Sequence, residues 1–210
     1  MRRELLFLTL LFWALTAWSA LEPYDLHDWW LEIATPVAGY AVLAATWRRF
    51  RFTPQSYRLM FLEGVVLIVG AHYTHQRVPL FNWIAEQLGT TRNDYDRLAH
   101  FAVGFLLVVP VRELLVRLSP LRGRWLWGMS FVVILAWAAF YEIFEWWVAV
   151  LAAPEVGIAF LGSQGDVWDA QKDMLLDGLG AIAGLLCFSR AHDRELSGVA
   201  ANTAAPSSNN

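Results

Sequence analysis

The sequence predicts an all-α fold, a polytopic bundle of six transmembrane spans with both termini in the cytoplasm. Apolar residues make up 57% of the chain, whereas charged residues make up only 17%. Long uncharged stretches recur, and they suit a bilayer core about 30 Å thick, which needs roughly 20 apolar residues per helix. Basic and acidic residues dominate alternate connections between these stretches, as expected when successive connections lie on opposite sides of a membrane.

The predicted spans form a single domain over residues 1–196. The tail at 197–210 has little to bury, and we predict that it is disordered. The first three spans are somewhat short, whereas the fifth is long enough to tilt in the bilayer. The six spans cover residues 5–21, 31–47, 57–71, 98–116, 125–150 and 174–188.

The charges of the connections orient the chain. Arginines precede the first span, follow the last, and occupy the connections after the second and fourth spans. The other three connections carry most of the acids. Because cytoplasmic loops are enriched in Lys and Arg, both termini are predicted to be cytoplasmic. The orienting arginines are Arg2, Arg3, Arg48, Arg49, Arg51, Arg58, Arg112, Arg117, Arg122, Arg124, Arg190 and Arg194.

The first span has a second interpretation, as a cleaved signal peptide. Arg2 and Arg3 precede an apolar run, and Ala17 is suitably placed for cleavage after Ser19. The run is longer than the about 7–15 apolar residues usual in signal peptides, which favours an uncleaved span. Cleavage would leave five helices and the same placement for all later segments.

Two local patterns refine this bundle. Residues 81–88 have the pattern of a short amphipathic helix on the outer interface, ended by Gly89. Gly180 and Gly184 form a small-xxx-small pair in the sixth span, and Gly104 lies in the fourth. Small residues let helices approach closely, so these two spans are predicted to be central.

Carboxylates recur at helical spacing beside the sixth span and near the outer end of the fifth. Asp169, Asp173 and Asp177 are four residues apart, which places them on one face of a helix. Glu142 and Glu145 share a face in the same way. The predicted topology brings both sets to one outer layer, and ionisable groups within a membrane are costly and usually functional.

His100 begins the fourth span at the same depth, one turn after Asp96, and this spacing suits an orienting carboxylate–imidazole pair. So many carboxylates must be protonated, paired with cations or bound to a metal. Oxygen ligands suit Mg²⁺, Ca²⁺ or Mn²⁺, and added histidine shifts the preference towards Zn²⁺ or Fe²⁺. The predicted metal ligands are Asp96, His100, Glu142, Glu145, Asp169, Asp173 and Asp177, and the predicted catalytic residues are His100, Glu145 and Asp173.

Several of these groups also have structural interpretations. Asp166 and Asp169 could cap and charge a helix N-terminus, which for Asp166 is the favoured role. Glu63, alone in the third span, could snorkel, pair with an arginine or relay protons. His72 and His75 are predicted to lie in a solvated loop at a helix end.

Some familiar activities are excluded by the absence of their motifs. The chain has no Gly-x-Ser-x-Gly elbow, no Gly-Lys-Ser/Thr phosphate loop and no His-Glu-x-x-His motif. Its basic residues flank the spans, so no nucleic-acid partner is predicted. The predicted partner is the lipid bilayer.

Four segments carry a family resemblance: 82–83, 93–101 (Asn-Asp-Tyr-Asp-Arg-Leu-Ala-His-Phe), 141–146 (Tyr-Glu-Ile-Phe-Glu-Trp) and 164–174. In these segments the chain resembles the uncharacterised bacterial family typified by the YjdF inner membrane protein. The resemblance implies a multi-pass protein of the bacterial inner membrane, and the family has no assigned activity. More distantly, the order of the acids is similar to VanZ-like envelope proteins, but Glu145 stands where that pattern has Gln.

Three classes of function follow for a site near the periplasmic face. The first is an enzyme or binding protein for envelope lipid head groups or lipid-linked substrates, with Glu145 or Asp173 holding a metal and His100 acting as acid or base. The second is a proton- or cation-coupled transporter that uses Glu142, Asp177 and Glu63. The third is a scaffold whose acids pair internally.

Overall fold

A computed structural model describes residues 2–151, 161 and 163–204, with side chains to residue 198. The described residues form helices and connecting turns, with no strand among them. The helices are α1 (Arg2–Ser19), α2 (Leu26–Thr46), α3 (Pro54–Tyr73), a 3₁₀ turn (His75–Arg77), α4 (Pro79–Leu88), α5 (Tyr95–Leu118), α6 (Gly123–Leu151) and α7 (Asp169–Ala204).

Local chemistry sets several helix ends. The Asp25 carboxylate accepts hydrogen bonds from the backbone N–H groups of His27 and Asp28 at the start of α2. Thr53 caps α3 in the same way, and Pro54 occupies its first turn, where a missing N–H costs nothing. Gly89 ends α4 in the left-handed conformation, with φ +67°, which glycine adopts without strain. The predicted amphipathic helix at 81–88 is therefore present and begins two residues earlier.

Within the described part of the chain, two helices are long and apolar enough to cross a membrane by length and composition, Gly123–Leu151 and Asp169–Gly198. They contain the predicted fifth and sixth spans. The other four predicted spans fall on α1, α2, α3 and α5. An all-helical membrane protein is thus consistent with the structure, while the six-span count and the placement of the termini stay predictions.

The centre of the bundle is the contact between α5 and α7, as the glycine pattern predicts. A Cβ atom on Gly104 would overlap the carbonyl oxygen of Asp177, and one on Gly180 would overlap that of Phe101. Helix α3 packs on α5, α6 packs against both α5 and α7, and α1 and α2 pack on α3. Among the described residues, one buried apolar cluster combines side chains of α3, α5, α6 and α7, and a second joins α1, α2 and α3.

The predicted start of a disordered tail, at residue 197, falls within α7, which continues to Ala204. Alanine is the strongest helix former, and residues 199–204 contain three alanines, so the helix can extend beyond its packed part. Residues 205–210 lie outside the described residues.

Candidate functional site

Three helices bring the predicted site residues together at one end of the bundle. His100 lies in the second turn of α5 and is 7% exposed. Its Nε2 atom is 3.9 Å from Asp96 Oδ1 on the same helix and 3.8 Å from Glu142 Oε1 on α6. Asp173 and Asp177, on α7, are almost fully buried at 2% and 1% exposure. The predicted convergence of α5, α6 and α7 is therefore observed for these side chains.

The other ring nitrogen of His100 fixes how the imidazole is oriented. His100 Nδ1 is 2.9 Å from Asp177 Oδ2, a hydrogen bond that crosses the close contact between α5 and α7. Asp177 is thus the orienting partner of His100, in place of the predicted Asp96. This carboxylate–histidine arrangement is the one that commonly positions metal-binding imidazoles, because it leaves Nε2 available.

Asp96, His100 and Asp173 each offer one ligand atom, and these atoms lie within 4.8 Å of one another. The buried oxygens Asp173 Oδ1 and Glu142 Oε1 have no hydrogen-bond partner among the described residues. Two carboxylates and one imidazole suit Mn²⁺, Fe²⁺ or Zn²⁺. Buried oxygens without a donor are costly unless a cation or a proton satisfies them, so the donor set fits a divalent metal.

Arginines lie at the rim of this cluster and form ion pairs with the acids at the start of α7. Arg92 Nη2 is 2.5 Å from Asp169 Oδ1, so Asp169 lies in an ion pair, and it is not a member of the Asp96–His100–Asp173 group. Asp166 accepts a hydrogen bond from the backbone N–H of Trp168, the residue that immediately precedes α7, and its capping of the helix stays a prediction. It also pairs with Arg97 at 2.7 Å and with Lys172 at 2.5 Å.

Glu145 is buried, at 8% exposure, and it too lies outside the Asp96–His100–Asp173 group. It lines a cavity of about 990 Å³ between α1, α2, α3, α5 and α6. His100, Asp96 and Asp177 line the polar end of the same cavity. The rest of the wall is mostly apolar, and several of its side chains are largely exposed, such as Val42 at 61% and Phe140 at 51%.

Sequence reasoning missed a second pair of charged groups on this cavity. His75 is 7% exposed, so the predicted solvated loop is wrong for this residue. Its Nδ1 lies 3.0 Å from Oε1 of Glu32, on α2. Gly70 makes room for the ring, since a Cβ there would overlap it. The nearby Asp28 is 1% exposed, and neither carboxylate oxygen has a hydrogen-bond partner among the described residues.

The His75–Glu32 pair should make stability depend on pH. Burial acts to lower the pKa of the His75 imidazole, but the Glu32 carboxylate outweighs burial and raises this pKa to about 9. Because the folded pKa lies above the ordinary value of 6.5 for a histidine, the stabilisation is complete below pH 6.5 and is lost as the pH rises through about 9. We expect the melting temperature of the wild type to fall more than that of His75→Gln between about pH 6 and pH 10.

The control for this experiment is His27→Gln, because the His27 side chain is 83% exposed. Its melting temperature should follow the wild-type pH dependence. Equal pH dependence in wild type and His75→Gln would contradict the assigned role of the buried pair.

Comparison with known proteins agrees with the sequence-based resemblance. A family model described as "Predicted membrane protein (DUF2238)" matches residues 4–194. The chain is 39% identical over 182 residues to the inner membrane protein YjdF of Escherichia coli (strain K12), covering 85% of this chain and 86% of that protein. No solved structure matches the chain. The resemblance to YjdF-type proteins is confirmed, and the more distant one to VanZ-like proteins stays a prediction.

Proposed function

Because the chain belongs to the DUF2238 family of predicted membrane proteins, we propose that this inner-membrane protein binds an amphiphilic envelope lipid or lipid-linked substrate. In this proposal the polar head group meets a divalent cation at Asp96, His100 and Asp173, and the acyl chains occupy the apolar part of the cavity. The site would lie towards the periplasmic face, as the predicted topology requires.

The observation that carries the proposal is the shape and chemistry of one cavity. Its volume, about 990 Å³, is at the upper end of the range of about 300–1,000 Å³ common for small-molecule sites. Its charged lining consists of Glu32, Glu63, His75, Asp96, His100, Glu145 and Asp177, and apolar side chains of α1, α2, α3, α5 and α6 form most of the rest. A ligand with a polar head group and apolar chains matches this lining.

Each residue of the polar end has a distinct part in the proposal. A metal would polarise a phosphoryl or carbonyl oxygen of the head group, or lower the pKa of a bound water. Asp177 would hold the imidazole of His100 for binding through Nε2. Glu142, 3.8 Å from that atom, would be the nearest carboxylate available as acid or base, a role the sequence predicts for His100.

The metal part of the proposal is tested by elemental analysis of the protein purified in mild detergent. We expect about one equivalent of Mn²⁺, Fe²⁺ or Zn²⁺ in the wild type and at least a tenfold lower content in Asp96→Asn/Asp173→Asn. Asp166→Asn is the matched control, because Asp166 is engaged by Arg97 and Lys172 on the rim. Metal-free wild-type protein, unchanged in melting temperature by these ions, would favour the scaffold alternative.

The lipid part is tested by filling the cavity. Gly39 on α2 lines it, and a Cβ there would meet no atom within 4 Å, so the side chain of Gly39→Phe has room to start into the cavity. We expect native mass spectrometry to show less co-purified lipid on this variant and an unchanged metal content. Gly128→Phe on α6 is the control, since its Cβ also meets nothing but the residue does not line the cavity. Equal lipid retention by both variants would contradict the proposal.

Glu63 favours a second candidate, a transporter that moves protons or cations. This residue is 2% exposed, lines the same cavity, and has no hydrogen-bond partner for either carboxylate oxygen among the described residues. In the predicted topology it lies further from the periplasmic end of its span than His100 does, as a relay would require. Proton flux in liposomes that Glu63→Gln abolishes would support this candidate over lipid binding.

A further inference from the structure

We propose a second binding site, for a phosphate-bearing anion, at the end of the bundle opposite the acidic cluster. It is formed by Arg112, Arg122 and Arg124 around the N-terminus of α6. The ligand that fits best is the phosphate of an anionic phospholipid. This proposal does not depend on the metal or on the large cavity.

A pocket of about 540 Å³ holds these arginines together. Its charged lining consists of the three guanidinium groups and one carboxylate, that of Asp193. The remaining lining residues are Val116, Gly123, Leu126 and Trp127. The pocket therefore carries an excess of positive charge beside apolar surface.

One of the positive charges, that of Arg112, is buried within the helix bundle. The residue is 5% exposed, although an isolated buried cation is costly. Its Nη2 donates to Asp193 Oδ1 at 2.6 Å, and its Nη1 lies 3.1 Å from His192 Nδ1. Its buried Nε has no hydrogen-bond partner among the described residues. Asp193 is itself half exposed, at 58%, so it offsets this buried charge only in part.

The helix terminus adds donors at the same place. Helix α6 has 29 residues and begins at Gly123, and the first N–H groups of a helix have no acceptor within it. Gly123 has φ +54°, and a Cβ there would meet no atom within 4 Å, so the backbone is open to close approach. A helix N-terminus together with arginines is a favourable environment for phosphate.

The surroundings favour a lipid phosphate over a soluble one. Trp125, 65% exposed, and Leu118, 70% exposed, lie beside the pocket in sequence, as expected where a helix meets the membrane interface. The volume also exceeds what a single phosphate group needs. Basic pockets between transmembrane helices on the cytoplasmic side commonly bind anionic head groups.

The test measures the melting temperature of the full chain in detergent with added cardiolipin, phosphatidylglycerol, phosphatidylethanolamine or inorganic phosphate. We expect the two anionic lipids to raise it and phosphatidylethanolamine to leave it unchanged. In Arg122→Ala/Arg124→Ala the apparent affinity for the anionic lipids should fall about tenfold or more. Both residues are exposed, so this variant should fold.

Arg48→Ala/Arg49→Ala is the matched control, since these two exposed arginines lie in another connection and do not line the pocket. It should keep the wild-type response to anionic lipid. If inorganic phosphate alone gives a response that depends on Arg122 and Arg124, the anion site stands and the ligand is soluble. The proposal is overturned if the lipid response is the same in all three proteins, or if phosphatidylethanolamine stabilises equally.

Discussion

Replacing Glu113 with alanine should lower the free energy of unfolding by about 3–5 kcal/mol, because it removes one partner from a buried network of charged groups. Glu113 is fully buried on α5. Its carboxylate accepts hydrogen bonds from the Thr53 backbone N–H at 2.9 Å, from Ser56 Oγ at 2.6 Å and from Arg117 Nη1 at 2.7 Å. His192 Nε2, on α7, lies 3.3 Å from it.

These contacts explain why one side chain should have so large an effect. The carboxylate joins the N-terminus of α3 to α5 and α7 at the end of the bundle opposite the acidic cluster, so three helices depend on it for their relative position. Alanine would leave the buried groups of Thr53, Ser56 and His192 without this acceptor. A buried donor that loses its acceptor costs its desolvation energy in addition to the bond.

Thermal or denaturant unfolding in detergent measures this effect. Glu113→Gln keeps one acceptor oxygen and the side-chain volume, so its loss should be smaller than that of Glu113→Ala. Glu4→Ala is the control at the same end of the bundle. It removes the half-exposed Glu4–Arg58 pair, and surface pairs contribute at most about 1 kcal/mol. If Glu113→Ala were as stable as Glu4→Ala, the network would not hold α3, α5 and α7 together.

The acidic cluster could be predicted from the sequence because depth and spacing both constrain it. Helical periodicity places Asp173 and Asp177 on one face, and the alternating charge of the connections places His100 and Glu142 at the same level. These two rules do not determine which ring nitrogen of His100 faces which carboxylate. That choice depends on rotamers and on the close approach at Gly104, which exist only in the packed structure.

The Glu32–His75 pair and the Glu113 network could not be predicted in this way. His75 lies in a 3₁₀ turn, where side-chain direction follows no simple period, and its partner is 43 residues away. Glu113 lies in sequence among arginines that the predicted membrane topology already accounts for. It therefore does not stand out in the sequence as an acid without a partner. Gly70 in α3 could have suggested that another group approaches this helix closely, but only the structure shows that this group is the His75 ring.

Replacing Gly104 with alanine should destabilise the bundle by about 1–3 kcal/mol or more, the usual cost of adding volume to a packed interface. Its Cβ would overlap the carbonyl oxygen of Asp177 and approach the backbone nitrogen of Ala181 at 2.8 Å. Both obstacles are backbone atoms, so no side chain can rotate away, and α7 must move relative to α5. We expect unfolding in detergent at a clearly lower temperature than for the wild type.

Gly128→Ala is the matched control, because a Cβ on Gly128 in α6 meets no atom within 4 Å. Alanine favours a helix over glycine by up to about 1 kcal/mol, so this variant should be as stable as the wild type or slightly more so.

The same displacement of α7 in Gly104→Ala should move Asp177 away from His100 Nδ1, now 2.9 Å apart. The metal affinity proposed for this site should then fall together with stability in Gly104→Ala and stay unchanged in Gly128→Ala. Equal melting temperatures for the two variants would mean that α5 and α7 are not in backbone contact, and the orientation of His100 would lose its structural basis.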